Sequence, residues 1–393
     1  MKKTFLFFVA YIAISLQVNA QWTSLTSGTT YGLYSVYFTD ASTGYAVGTM
    51  GMILKTSNGG TSWSSAGNVI GLTNYLNSVF FPNATIGYTV GDAGTAFKTT
   101  NGGNNWTSMS INTGGVVLRS VYFTDANTGY IVGDMNSIFK TTNGGASWTT
   151  QACNVTDDFY SVYFINSTTG FIAGSGGTIL KTTDAGVNWI EQTSGTGNTL
   201  ASIYFVNSTI GFAVGSGGTI VSTINGGTNW SIQSSGISNM LHSVYFTDAN
   251  TGYAVGNAGK IVKTINSGSN WILQNSNITN DLYSIYFTNS TTGYAVATGG
   301  KILKTTNGGN GIIELLNNLN SVHVYPNPAY DNIEIVSPAK SEIQILNIES
   351  HHINSIIAAE ENTIIDISDF SKGIYFIRII TEKDIIVKKF IKE

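Results

Sequence analysis

A four-residue anchor, Ser-Val-Tyr-Phe and its close variants, returns seven times in this chain and limits its possible folds more than any other feature. It begins at Ser35, Ser78, Ser120, Ser161, Ser202, Ser243 and Ser284, with steps of 41 to 43 residues. Every copy has the same parts. Residues 33–38 and their equivalents alternate in polarity and read as a strand. A polar turn follows, with Asp or Asn at one place: Asp40, Asn83, Asp125, Asn166, Asn207, Asp248 and Asn289. Short Asx side chains bond their own backbone and suit such turns. Next come a glycine-aromatic-apolar run (44–48 in the first copy) and a third run (52–56). The tight turn Asn58-Gly59-Gly60, of a kind that needs positive φ, then leads to Trp63.

The register is strict. Trp63, Trp106, Trp148, Trp189, Trp230 and Trp271 each stand 28 residues after their anchor serine. In the seventh copy that place holds Ile312. Yet Trp22 stands 13 residues before Ser35, the spacing at which Trp148, Trp189, Trp230 and Trp271 precede the next anchor. The N-terminal segment thus offers a fourth strand without its first three, and the seventh copy has three without a fourth. Four strands in about 41 residues is the size of one propeller blade. The expected fold is all-β: a seven-bladed β-propeller over residues 21–313, closed by the N-terminal strand, which leaves no long sheet edge exposed.

The segments 44–63 (GYAVGTMGMILKTSNGGTSW) and 129–148 (GYIVGDMNSIFKTTNGGASW) resemble Asp-box, or bacterial neuraminidase repeat, blades. More closely, they resemble the propeller family named for the photosystem II stability and assembly factors. In most copies the box aspartate is replaced by Asn58, Asn101, Asn143, Asn225, Asn266 or Asn307, and Asp184 alone keeps the acid. The resemblance implies a structural turn at that place. It also implies an assembly-factor role by family name alone, since fold does not give function.

Residues 1–20 read as a secretory signal. Lys2 and Lys3 precede an apolar stretch over 5–16, and Val18-Asn19-Ala20 forms a small-residue cleavage site. No apolar run reaches transmembrane length. Cys153 is the single cysteine, so no intrachain disulfide is available.

After a short linker at 314–322 the composition changes, with isoleucine abundant and glycine scarce. Alternating runs at 332–336, 341–346, 363–367, 373–380 and 384–391 read as strands of a small β-sandwich over 323–393. Tyr325-Pro326-Asn327-Pro328, Lys372-Gly373-Ile374-Tyr375 and Lys388-Lys389-Phe390-Ile391-Lys392 resemble, in order, the C-terminal sorting domain of the type IX secretion system of Bacteroidota. This implies the type IX machinery as a partner, with delivery through the periplasm to the medium or the outer-membrane surface. The sorting residues it marks are Tyr325, Pro326, Asn327, Pro328, Gly373, Tyr375, Lys389 and Phe390.

Charged residues make up 10% of the chain and the net charge is −4, with no basic stripe for nucleic acid. Catalysis needs convergent groups of tuned proton affinity. The propeller segment has one histidine, His242, and one arginine, Arg119. A sialidase would need three arginines for its substrate carboxylate. Other glycosidases need two facing carboxylates, and Asp92, Asp134 and Asp158 are candidates that nothing in the sequence pairs. The expectation is no catalytic residue, no metal, no cofactor and a monomeric binding or scaffold module. A carbohydrate-binding or glycoside-hydrolase-like propeller is the alternative.

One position varies within an otherwise constant strand. The residue before each anchor serine is Tyr34, Asn77, Arg119, Tyr160, Ala201, His242 or Tyr283. If this strand is innermost, these side chains ring one mouth of the central channel. They are then the expected contacts for a protein or glycan ligand, since aromatic and arginine side chains suit binding surfaces. The alternative is an exposed position free to drift. Lys55, Lys98, Lys140, Lys181, Lys263 and Lys304 recur with the period, with Ser222 in the fifth copy. They read as blade-edge charges that oppose sheet-to-sheet association.

Overall fold

The computed structural model describes residues 22–66, 72–309, 322–348, 351–380 and 385–393. Residues 1–20, expected as a signal, and nearly all of the expected linker lie outside these. The chain divides into two compact units that part at Gly309 and Asn310.

The repeats fold as seven four-stranded antiparallel sheets. Blade 1 runs Leu33–Phe38, Gly44–Gly48, Ile53–Thr56 and Ser64–Ser65. In blade 7, Leu282–Phe287, Gly293–Ala297 and Ile302–Thr305 are followed in the sheet by Thr23–Leu25 from the start of the chain. The register pairs Thr23 with Lys304 and Leu25 with Ile302.

The first strand of each blade is the innermost, because these strands bond one another around the ring. The anchor serine accepts the backbone N–H of the next blade: Ser35 from Val79, Ser120 from Val162, Ser243 from Ile285. Ser284 of blade 7 accepts from Val36 of blade 1 in the same way. One step along, Tyr37, Phe80, Tyr122, Tyr163, Tyr204, Tyr245 and Tyr286 form an aromatic belt. Neighbouring ring centroids are 4.8–5.4 Å apart, and Tyr286 to Tyr37 (5.1 Å) completes the circle.

Outside this belt the core repeats between blades. Phe38 lies over Gly44, where a Cβ would come within 2.5 Å of its ring, so the glycine makes room for the phenylalanine. The other face of Phe38 stacks on Tyr294 of blade 7 at 4.1 Å. The turn that ends each third strand is held by a buried threonine. Thr56 Oγ1 donates to Asn58 Oδ1 and accepts from Gly60 N–H, while Gly60 sits at φ +78. Asp184 accepts from Thr182 and Asn188 as asparagine does elsewhere, so the acid-to-amide exchange leaves the turn intact.

The lysines are not edge charges. Lys98 Nζ donates to Gly144 O of the next blade at 2.7 Å and lies 5.6 Å over the Tyr88 ring. Tyr88 Oη donates to the same carbonyl. Lys55, Lys140, Lys181 and Lys304 make the same bond to Gly102, Ala185, Gly226 and Gly59. Each lysine clamps one blade to the turn of the next.

The C-terminal unit has a three-stranded sheet (His323–Tyr325, Asn332–Val336, Asn362–Asp366). Its four-stranded sheet is ordered His352–Ile357, Glu342–Asn347, Gly373–Ile380, Ile385–Lys392. Ile333, Ile335 and Ile365 of one sheet share a core with Ile343, Ile377 and Phe390 of the other. Val322, which the sequence places in the linker, is buried in this core.

Candidate functional site

The position before the anchor serine is a β-bulge, because the pairing shifts between Leu33 and Ser35 and at the same place in every blade. A bulge turns its extra residue out of the regular alternation. All seven bulge residues are half-buried, unlike freely exposed positions. They sit three residues from the aromatic belt, at the end where the first strand begins.

Their contacts join them into two arcs. In the aromatic arc, Tyr34 meets Tyr283 edge-on at 4.9 Å and Tyr75 at 5.7 Å. His242 packs on Tyr283 at 4.7 Å. In the polar arc, Asn77 Nδ2 donates to Leu118 O of the next blade, and the Arg119 guanidinium lies 5.5 Å over Tyr160. Ala201 leaves a gap in blade 5.

Three bulge residues also bond a partner 15 residues on, at the turn after the second strand. Arg119 Nε and Nη2 donate to the two carboxylate oxygens of Asp134 at 2.8 and 3.0 Å. Asn77 Nδ2 donates to Asp92, and His242 Nε2 lies 2.6 Å from Asn257 Oδ1. Asp92, Asp134, Asn257 and Tyr75 were not singled out as mouth residues in the sequence. The signal was present: where the bulge residue is Arg, His or Asn, the residue 15 further on is Asp or Asn.

Burial, then Tyr283, Tyr75 and Asp92, push the Tyr34 hydroxyl up to about 12, so it stays a neutral donor. Burial lowers the His242 pKa from its ordinary value, with the Asn257 bond and the Asp281 charge opposing. Burial opposes the Arg119 charge, but the Asp134 bonds and charge outweigh it and raise its pKa.

The carboxylates named for a glycosidase are each engaged: Asp92 by Asn77, Asp134 by Arg119, and Asp158 by the Met135 N–H. Among the described residues no group of three His, Cys, Asp or Glu side chains converges on one point. The seven tryptophans are structural. Each meets the phenylalanine of its own sheet edge-on, and among the described residues their indole N–H groups find no hydrogen-bond acceptor.

In the C-terminal unit the sorting residues fall into two sets. Tyr375 and Phe390 are buried and stack at 5.4 Å, on strands paired from Gly373–Lys392 through Phe376–Lys389 to Ile380–Ile385. Tyr325, Pro326, Asn327 and Pro328 are exposed, and Asn327 bonds the backbone of the last strand. No helix of the described residues is long and apolar enough to cross a membrane.

Comparison with known proteins agrees with this architecture. No curated protein sequence matches the chain. A solved structure described as YCF48 bound to D1 peptide superposes with a TM-score of 0.64 at 19% identity, covering 74% of this chain and 99% of that one. YCF48 from Cyanidioschyzon merolae gives 0.61 at 20%, covering 72% and 98%. The GH74 xyloglucanase of Xanthomonas campestris gives 0.58 at 12%, covering 73% of this chain and 53% of that one. At such identities these likenesses carry the fold alone. Residues 323–393 match the secretion system C-terminal sorting domain. The family model described as photosynthesis system II assembly factor YCF48 matches residues 14–117, 111–194 and 188–274, which together make up well over half of the sequence. The chain therefore belongs to the YCF48 assembly-factor family, with a secretion-system sorting domain behind its propeller.

Proposed function

We propose that this chain is an exported, non-catalytic propeller that binds an extended peptide across the channel mouth at the cell surface or in the medium. The sorting domain supports export by the type IX route. One observation carries the binding role: the bulge residues vary in type yet, Ala201 apart, are packed into two arcs on a constant scaffold. Tyrosine and arginine held in place by neighbours lose little entropy on binding. Asp92, Asp134 and Asp158 each bond a different partner, which supports a non-catalytic role over a paired glycosidase centre. A relative in this family has been solved with a peptide bound, which favours a peptide as the ligand class.

A glycan is the second reading, favoured by the tyrosine faces of the aromatic arc. The test is pull-down from the producing cells, with a glycan array in parallel. Arg119→Ala/Tyr160→Ala/His242→Ala and Tyr34→Ala/Tyr283→Ala are compared with the native chain. Loss of the captured ligand in either variant, with unfolding unchanged, supports the mouth. Unchanged capture in both removes it, and capture of glycans alone moves the proposal to the second reading.

A further inference from the structure

The aromatic belt of the innermost strands turns its ring faces, not its ring edges, towards the central axis. Two observations fix this. The tyrosine hydroxyls reach from one blade to the next: Tyr37 Oη donates to Phe81 O, Tyr163 Oη to Phe205 O and Tyr286 Oη to Phe38 O, each at 2.9 Å. The long axis of each ring therefore runs along the circumference. The planes of neighbouring rings meet at 39–54°. Rings lying flat across the channel would be parallel, whereas rings that face the axis turn by one-seventh of a circle from blade to blade.

The belt also sets a size. Its centroids, 4.8–5.4 Å apart, close on a circle of about 6 Å radius, and half a carbon–carbon contact of about 3.5–4 Å on each side leaves a bore of roughly 8 Å. A group on the axis then lies about 6 Å from all seven centroids at once, at the reach of a cation–π contact. All seven belt residues keep part of their surface exposed. Six of them spend their hydroxyls on backbone carbonyls, so what they offer the axis is the ring face, which is negative by its quadrupole.

Charge at both ends of the strands favours the same guest. At the bulge end, the carboxylates acting on the bulge residues are Asp92, Asp134, Asp158 and Asp281, and the Arg119 guanidinium is bound by Asp134. At the other end stand Asp40, Asp125 and Asp248. A small metal ion holds its own water too strongly to exchange it for ring faces. A quaternary ammonium is bulky and weakly hydrated, and aromatic cages recognise it.

We propose that the belt is a collar that binds a quaternary ammonium group on the channel axis. The site is distinct from the bulge residues of the mouth, and the experiment tells the two apart. Choline binding to the full chain is measured by ligand-observed NMR at constant ionic strength. Beside it is measured the alcohol in which carbon replaces the choline nitrogen, a neutral molecule of the same shape. Choline is expected to saturate and to bind about tenfold or more tightly than the alcohol. Thermal unfolding of each variant is recorded alongside.

Tyr163→Leu/Tyr204→Leu removes two faces and is expected to weaken choline about tenfold or more. Tyr204→Phe is expected to keep native affinity, since Phe80 fills the same place in blade 2. Tyr34→Ala/Tyr283→Ala, at the mouth, is expected to leave choline binding unchanged. Capture of the chain on phosphatidylcholine vesicles would make a lipid headgroup the source of the ligand, and choline binding without capture a free solute; either supports the collar. If the leucine pair does not fold, choline against the alcohol on the native chain decides. Equal binding of the two, no saturable choline binding, native affinity in a folded leucine pair, or loss confined to the mouth variant would overturn it.

Discussion

Trp22 meets Phe287 edge-on, with ring centroids 6.0 Å apart and planes at 84°. The same pair recurs in every other blade, from Phe38 with Trp63 (5.9 Å, 87°) to Phe246 with Trp271 (6.0 Å, 87°). Trp22 is 1% exposed, and its partner lies 265 residues away. A residue from the first described strand region thus does the work of the seventh blade's missing tryptophan.

Trp22→Ala removes this contact and leaves a cavity against Phe287 and Tyr253. Large aromatic-to-alanine changes in cores cost about 3–5 kcal/mol. Chemical denaturation of the chain is expected to show a loss in that range, similar to Trp106→Ala. A frayed terminal strand would lose far less.

The lysine clamps give a second prediction. Lys98→Met keeps the apolar stem but removes the charge-assisted bond to Gly144 O. Such bonds contribute about 1.5–3 kcal/mol when buried, and partial exposure of Lys98 reduces this to roughly 1–2 kcal/mol. Thermal melts are expected to shift downward with the association state unchanged. If the lysines only kept sheet edges apart, the melt would hold and association would increase.

One seam lacks both clamps. Between blades 5 and 6 the tyrosine is Phe212, and the lysine is Ser222, which bonds Gln233 within its own blade. Among the described residues, every other seam keeps a lysine or tyrosine bond to the turn carbonyl. Amide exchange is expected to be fastest along this seam. Phe212→Tyr/Ser222→Lys is expected to slow it and raise stability by about 1 kcal/mol, the net worth of an added hydrogen bond.

Acid sensitivity should be shared among several turns, since the Asp40, Asp125 and Asp248 carboxyls are also held below their ordinary range, and Asp184 tests one share of it. The Asn188 backbone N–H, then its side chain and Thr182, lower the Asp184 pKa from 3.8 to about 2. A lowered carboxylate pKa adds stability above the unfolded value, and this is lost as pH falls from about 4 towards 2. Asp184→Asn, which copies the other six blades, is expected to lessen the fall of the melting temperature over that window and leave it unchanged at pH 7. An identical acid profile would assign the loss to other carboxylates.

The repeat made the blades legible, because a strict Ser-to-Trp spacing leaves few ways to place four strands. The missing Trp at Ile312 and the extra one at Trp22 carried the seventh sheet as well. The lysine role was not legible. A periodic lysine looks the same whether it faces water or a neighbouring turn, and its acceptor lies about 45 residues away on another blade. The variable bulge position was visible, but its arcs were not, since Tyr34 and Tyr283 meet only after the ring forms. In the C-terminal unit, strand His352–Ile357 escaped notice. It is an edge strand with mostly exposed side chains and a register shift opposite Leu346, so its alternation is weak.

The pairing of the first strand with the seventh sheet can be measured by trapping it. Thr23 and Lys304 are register partners, and Cys153 is the single native cysteine. In a Cys153→Ser background, Thr23→Cys and Lys304→Cys are combined and the native protein is oxidised mildly. Mass spectrometry of a non-reduced digest is expected to show one peptide pair, joined through the two new cysteines with loss of two hydrogens. Both thiols remaining free and alkylatable in the folded protein would contradict the closed ring.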